Sequence, residues 1–133
     1  ERLLNEIDKQ AKKNNRKINV LLQMHIAEEE TKFGLDKSEL SILLNNYLAR
    51  DEQHLQICGL MGMATHTNNI KQIAKEFGGL KALFDELKST VFLENNSFKE
   101  ISMGMSGDYK IALEQGSTLV RIGSKLFGNR NYG

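Results

Sequence analysis

The sequence has one cysteine, no long apolar run and almost no net charge. Cys58 alone cannot form an internal disulfide or a cysteine-based zinc site, and a lone thiol predicts a reducing, cytoplasmic compartment. The best apolar stretch, at residues 18–22, is far shorter than the roughly 18 residues that a membrane span requires, so we expect no membrane partner. A formal net charge of +1 argues against a nucleic-acid binder, and the basic run at 9–17 is typical of a solvated helix face.

What is present fits one globular domain. The chain has 133 residues, of which 40% are hydrophobic and 26% charged, as is usual for a domain with its own core. It opens with Glu1-Arg2 and enters a polar amphipathic segment directly, so we expect no signal peptide. Because the first residue is not methionine, we expect a fragment of a longer protein.

Helical and strand patterns alternate along the chain. Apolar residues recur at helical spacing over residues 2–13, after residue 36, over 70–87 and over 106–115, with a last helical turn near 126–127. Nearly continuous apolar runs predict buried strands at 18–24, 55–61, 100–103 and 118–122. Asp36 with Glu39 predicts a capping box, and the N-cap of the third helix is expected among residues 65–68. Gly78-Gly79 predicts close packing or a kink.

This alternation predicts an α/β fold with parallel strands. Two architectures fit the pattern at this point. One is a small open, doubly wound sheet. The other is half of a (β/α)8 barrel, since a complete barrel has about 250 residues and eight strands.

Glycine and serine follow the last two predicted strands. Residues 102–106 read Ser-Met-Gly-Met-Ser, and residues 120–124 read Val-Arg-Ile-Gly-Ser. Glycine lets the backbone approach a ligand, and free N–H groups with a serine hydroxyl favour an anion, as in the phosphate sites of barrels. Ordinary turn chemistry is the alternative. Arg121 carries a charge in a predicted buried strand, which indicates either a structural ion pair or a bound ligand.

Longer stretches around these turns are distinctive. They are ISMGMSGD at 101–108, GSTLVRIGS at 116–124 and FGNR at 127–130, with EETKFG at 29–34 and GLMGM at 59–63 upstream. Together they resemble the pyridoxal phosphate homeostasis protein family, whose members are similar to the barrel domain of alanine racemase. The resemblance covers nearly the whole chain. It implies a (β/α)8 TIM-barrel fold, of which residues 1–133 would be the C-terminal half, with about the last four βα units.

The resemblance also implies a cofactor and the residues that bind it. Pyridoxal 5'-phosphate would be held through its phosphate by Ser106, the backbone around Gly123, and Ser124. Arg121 would face the pyridine nitrogen. Because an arginine keeps its proton, the ring nitrogen would stay unprotonated and the cofactor would be a weaker electron sink than with a carboxylate partner. No catalytic residue is assigned.

One family feature has no match in this chain. The lysine that forms the Schiff base lies, in the family, at the end of the first barrel strand, and Lys32 belongs to a different, later loop motif. His25 and His66 follow predicted strands, so each either lines the cofactor pocket or is a loop histidine without a ligand. No metal site is expected, because the segment from His25 to Glu29 lacks a second histidine at metal-binding spacing.

Three functions remain open. The resemblance implies a protein that holds pyridoxal phosphate and hands it on, with cofactor-dependent apo-enzymes as recipients and no established reaction of its own. The alternative is an amino-acid racemase on the same barrel, which would carry a second, β-rich domain that we do not expect here. A third is a phosphate-binding open α/β domain of another family.

A half barrel also predicts instability in isolation. It leaves two unpaired sheet edges, and its interior-facing side chains meet water. We expect the fragment to self-associate or to need its missing half. The interior-facing residues are expected among Val20, Leu22, Ile57, Ile101 and Val120.

Overall fold

The computed structural model describes residues 2–31, 33–51 and 53–128, in which helices and strands alternate. The elements in chain order are α1 Arg2–Lys13, β1 Ile18–Met24, α2 Lys37–Leu48, β2 Leu55–Gly62, α3 Ile70–Ser89, β3 Glu100–Met105, α4 Tyr109–Glu114, β4 Leu119–Arg121 and α5 Ser124–Phe127. Each predicted element is present. None of the helices within these ranges is both long and apolar enough to cross a membrane.

The four strands form one parallel sheet in the order β1-β2-β3-β4. A doubly wound sheet reverses its strand order at a switch point, whereas a barrel adds each strand beside the preceding one. The sequential order therefore identifies the arrangement as four βα units of the (β/α)8 type, and the predicted fold class is confirmed.

The core lies between the sheet and the helices. Phe77 and Leu80 of α3 are almost fully buried, and Phe98 stacks between Phe84 and Phe92 with ring centroids 4.9 and 4.2 Å away. This packing explains the strong apolar periodicity of α3. Ile70, the first residue of α3, belongs to the same periodic set but is largely exposed at the end of the helix.

The prediction of water-exposed interior side chains is wrong for three residues. Leu22, Ile57 and Ile101 are 4, 0 and 1% exposed, because they lie on the face of the sheet that the helices cover. Val20 and Val120 are half-buried. Side chains alternate between the two faces of a strand. The residues next to Leu22, Ile57 and Ile101 in sequence therefore point to the face that the helices do not cover.

A bulge in β2 is followed by a glycine on which any side chain would point into the backbone of β3. Val20 pairs with Ile57 but Leu21 pairs with Gly59, which leaves Cys58 as the extra residue. Gly59 has a φ of +156°, and a Cβ there would lie 1.8 Å from the carbonyl oxygen of Glu100. Only glycine fits this position.

The N-termini of α2 and α3 differ in how well the sequence predicts them. Asp36 and Glu39 form the predicted capping box. The N-cap of α3 is Asn69, just beyond the predicted 65–68; its side-chain oxygen accepts a hydrogen bond from the N–H of Gln72 at 3.2 Å. Thr65, one of the predicted candidates, instead donates its N–H and its hydroxyl to the carboxylate of Glu76, at 2.7 and 2.6 Å.

Three further comparisons concern the glycines of α3, the start of α4 and the length of β4. Helix α3 continues through both glycines; a Cβ at Gly78 would lie 3.1 Å from Gln115 Oε1, as close packing predicts, but Gly79 has open space. The helix predicted at 106–115 begins only at Tyr109, because residues 106–108 form a turn. Strand β4 covers three of the five predicted residues.

Candidate functional site

The carboxyl ends of β3 and β4 border a cleft of about 570 Å3. All four residues predicted to hold the cofactor lie in its wall. The lining residues are His66, Met105, Ser106, Gly107, Asp108, Arg121, Ile122, Gly123 and Ser124. The structure thus brings the two glycine- and serine-containing turns together, as the parallel strand order requires, while their role in holding a phosphate stays a prediction.

The hydroxyl of Ser106 joins the two turns. Its oxygen accepts hydrogen bonds from the backbone N–H of Gly123 at 3.2 Å and from that of Lys125 at 3.3 Å. These two N–H groups lie at the start of α5, and both point to the same oxygen atom of Ser106. A phosphate oxygen is a stronger acceptor than a hydroxyl oxygen, since hydrogen bonds to an ionised group are shorter and stronger.

The turn that carries Ser106 is held from within. Asp108 Oδ1 accepts a hydrogen bond from the N–H of Met105 at 2.7 Å, and the N–H of Asp108 donates to the carbonyl of Met105 at 3.2 Å. Gly104 has a φ of +97°, and a Cβ there would lie 2.6 Å from the Cβ of Ala112. Glycine at 104 therefore lets α4 pack close to the end of β3.

Ser117 and Thr118 fix β4 against β3 below the cleft. The Ser117 hydroxyl lies 2.7 Å from the carbonyl oxygen of Met103 and 2.9 Å from that of Leu119, so it can donate to either. The Thr118 hydroxyl accepts from the N–H of Ile101 at 2.8 Å. In this part of the family-like stretch 116–124, the two side chains serve the sheet rather than the cleft.

Arg121 ends β4 with its guanidinium inside the structure. Its Nε and Nη2 atoms are buried and have no hydrogen-bond partner within the described ranges. The structural ion pair considered from the sequence is not found among these residues. A buried donor without an acceptor costs about 1–3 kcal/mol, so the site favours a ligand that supplies an acceptor. An unprotonated pyridine nitrogen is such an acceptor, and the residues present fit this group.

Lys125 and Tyr109 form a pair that the sequence reasoning missed. The Lys125 Nζ donates to the Tyr109 hydroxyl at 3.1 Å and lies 4.5 Å from the centre of its ring. The hydrogen bond and the positive charge of Lys125 lower the pKa of Tyr109. The pair connects the beginnings of α4 and α5. Neither residue belongs to a motif. They are sixteen residues apart, so no short-range sequence pattern predicts their contact.

The structure separates the two candidate histidines. His66 lines the cleft with Ser106 and Arg121. His25 lines a different cavity between α2 and α3, and its Nε2 lies 3.0 Å from the carbonyl oxygen of Glu29. Lys32, with Asn129 and Arg130 of the last family-like stretch, lies outside the described residues. Within the described ranges, no cluster of three or more metal-ligating side chains is found.

The fold and the cleft define the class of protein. Parallel strands in sequential order, with polar turns gathered at their carboxyl ends, are typical of (β/α)8 barrels whose sites lie at that face. The alanine racemase N-terminal domain model matches residues 1–131. The chain belongs to this family.

Curated relatives refine the resemblance. The pyridoxal phosphate homeostasis protein of Haemophilus influenzae matches at 35% identity over 131 residues, which is 98% of this chain and 54% of that protein. The protein of the same name from Aquifex aeolicus matches at 37% identity over 130 residues, which is 98% of this chain and 55% of that protein. The human protein of that name matches at 35% over 124 residues, 92% and 44%. The chain spans about half the length of these relatives. The resemblance to this group is confirmed.

Solved structures agree with the sequence comparison. PipY of Synechococcus elongatus, determined with PLP bound, matches with a TM-score of 0.78 and 27% identity, over 93% of this chain and 55% of PipY. PipY without PLP matches with a TM-score of 0.83 and 28% identity, over 95% and 57%.

Proposed function

We propose that the protein containing this chain binds pyridoxal 5'-phosphate and takes part in intracellular cofactor homeostasis. This chain would be the C-terminal half of a single barrel domain, and would supply the phosphate-binding turns. The names of the relatives and the PLP bound to PipY support the proposal. The relatives' names do not favour the racemase alternative.

The observation that carries the proposal is the presence of two groups of donors in one cleft: two backbone N–H groups that share one hydroxyl oxygen, and two guanidinium nitrogens that have no partner among the described residues. The N–H groups of Gly123 and Lys125 converge on the single oxygen of Ser106, and the guanidinium of Arg121 holds two buried N–H-bearing atoms without a partner. Donors of the first kind suit a phosphate, and those of the second suit a ring nitrogen. Pyridoxal phosphate carries both acceptors in one molecule.

Each residue would have a distinct task. The Ser106 hydroxyl would turn to donate to a phosphate oxygen, which frees the two backbone N–H groups for the same anion. Ser124, which lines the same cleft, would add a second hydroxyl. Arg121 would donate to the ring nitrogen and keep its proton. When bound, the cofactor supplies an electron sink, which an arginine partner weakens in comparison with a carboxylate.

A cofactor that is a weak electron sink is better suited to being bound and transferred by the protein than to catalysing a reaction on it. We therefore propose a binding protein without a reaction of its own, which passes the cofactor to apo-enzymes that require it. A cytoplasmic site of action belongs to the same proposal, since the lone cysteine suits a reducing compartment.

The test is retention of pyridoxal phosphate by the full-length protein, measured by equilibrium dialysis. The Ser106→Ala variant should bind the cofactor about tenfold more weakly, because a hydrogen bond to a charged group contributes about 1.5 kcal/mol or more. Ser38→Ala makes the same chemical change on the exposed surface of α2 and should bind as the wild type does. Failure of the wild type to retain the cofactor would refute the proposal.

A further inference from the structure

We propose that His66 is a third phosphate-binding element of the cleft, and this inference rests on the proposed function. His66 follows β2, whereas the two turns already described follow β3 and β4. The strand order places its loop beside the Ser106 turn, on the side away from Gly123. His66 and Ser106 line the same cleft.

The backbone of His66 is held in place by two neighbouring elements. Its N–H donates to Glu29 Oε1 at 3.1 Å, across thirty-seven residues of sequence. The preceding residue, Thr65, is tied to Glu76 of α3 through its N–H and its hydroxyl. The Thr65 hydroxyl also accepts from the N–H of Glu28 at 2.9 Å. Contacts with the loop after β1 and with the helix after β2 thus fix the backbone position of His66, from which its side chain extends.

The imidazole itself is uncommitted. Among the described residues, no hydrogen bond or ion pair of the His66 ring is found, although its backbone is engaged. His25 differs, because its ring contacts the Glu29 carbonyl. A ring that lines the same cleft as Ser106 and Arg121, and has no partner among the described residues, is available to a ligand.

The chemistry of the cleft selects the part of the ligand that His66 meets. The guanidinium of Arg121 suits the ring nitrogen, and Ser106 with the N–H of Gly123 suits the anionic end. His66 lies next to the Ser106 turn, so the phosphate is its partner. An imidazole N–H can donate to a phosphate oxygen, and an imidazolium adds a favourable charge. His66 therefore favours phosphorylated ligands over their unphosphorylated forms.

Two variants of the full-length protein test this role with pyridoxal phosphate and inorganic phosphate as separate probes. His66→Ala should weaken the binding of both probes about tenfold, since it removes a charge-assisted hydrogen bond. His66→Gln, which keeps an N–H donor, should recover part of the loss. His54→Ala is the matched control: His54 lies just before β2 at the opposite end of the sheet, and the hydrogen bonds found for it use backbone atoms.

The outcomes separate the two proposals. If the wild type binds both probes and Ser106→Ala weakens them while His66→Ala does not, the role of His66 is overturned and the proposed function stands. If His66→Ala weakens pyridoxal phosphate but not inorganic phosphate, His66 acts on the ring and the phosphate assignment is wrong. If the wild type binds neither probe, the proposed function itself fails. Circular dichroism and thermal unfolding of each variant confirm that the fold is intact.

Discussion

Gly59 and Glu100 approach so closely that a Cβ on the first would lie 1.8 Å from the carbonyl oxygen of the second. The contact joins β2 to β3 where Cys58 bulges out of the register. Because the obstacle is backbone and not a flexible side chain, a larger residue at 59 must move one of the two strands. These strands lead to the loops that carry His66 and Ser106, so the glycine maintains the spacing of the cleft.

Gly59→Ala should therefore destabilise the protein strongly. We expect a loss of about 3 kcal/mol or more from the combined clash and backbone strain. Chemical denaturation of the full-length protein measures it. Gly79→Ala is the matched control, because Gly79 lies exposed inside α3 with open space around its Cα and should gain about 0.5–1 kcal/mol. Equal stability of the two variants would contradict the strand contact.

Arg121→Glu should change both the colour and the retention of the cofactor. A carboxylate in place of the guanidinium favours a protonated ring nitrogen and places negative charge close to the phosphate, so the absorption spectrum shifts and the dissociation rate rises. Absorption spectroscopy and dialysis measure the two effects. Arg121→Lys keeps the charge but loses the planar fork, and should show weaker retention with a smaller spectral change. A spectrum and affinity equal to the wild type would make Arg121 structural.

Cys58 should react slowly with alkylating reagents in the folded protein. Burial raises the pKa of its thiol, and the negative charge of Glu100 adds to the effect. The thiolate is the nucleophile, so a raised pKa lowers its population at neutral pH and moves the rise in reactivity to higher pH. Mass spectrometry of the peptide containing Cys58 after timed exposure to iodoacetamide measures the rate. The same peptide should react fast in guanidinium chloride; equal rates in both conditions would contradict burial.

The polypeptide of residues 1–133 should associate in solution. Leu126 and Phe127 of α5 are 71 and 87% exposed, and Leu119 at the start of β4 is 44% exposed. They belong to β4 and to the helix that follows it, and β4 is an edge strand of the sheet formed by the described residues, so it presents backbone groups without a strand partner there. Light scattering over a range of concentrations should show dimers or larger species. A cooperative, concentration-independent monomer would contradict the expected need for a partner surface.

Local signals in the sequence predicted most of the fold. The ends of α1 and β1 and the capping box at Asp36 depend on residues within a few positions of one another, and all three were predicted correctly. The parallel direction of the strands followed from alternation, whereas the barrel arrangement was implied by the family resemblance. The N-cap of α3 lies one residue beyond the predicted 65–68, and one of the four candidates, Thr65, instead contacts Glu76 across eleven residues, which no local capping rule includes.

The faces of the strands could not be predicted in the same way. A strand that is apolar on both sides has no alternation to show which residues the helices cover, so Leu22, Ile57 and Ile101 were assigned to the wrong environment. The bulge at Cys58 then changes the phase within β2. Similarly, the contacts of Lys125 with Tyr109 and with Ser106 depend on the meeting of two turns in space.

The sequential order of the strands also determines how the sheet can assemble. Every strand pairs with the next one along the chain, so each pairing closes only the segment between them. The entropy lost on closing a loop grows with its length, and the connection between β3 and β4 is the shortest of the three. The pairing of β3 with β4 therefore loses the least loop entropy and can form first. The cleft lies on the pair of strands with the shortest connection, and its two turns can meet before the rest of the sheet is complete.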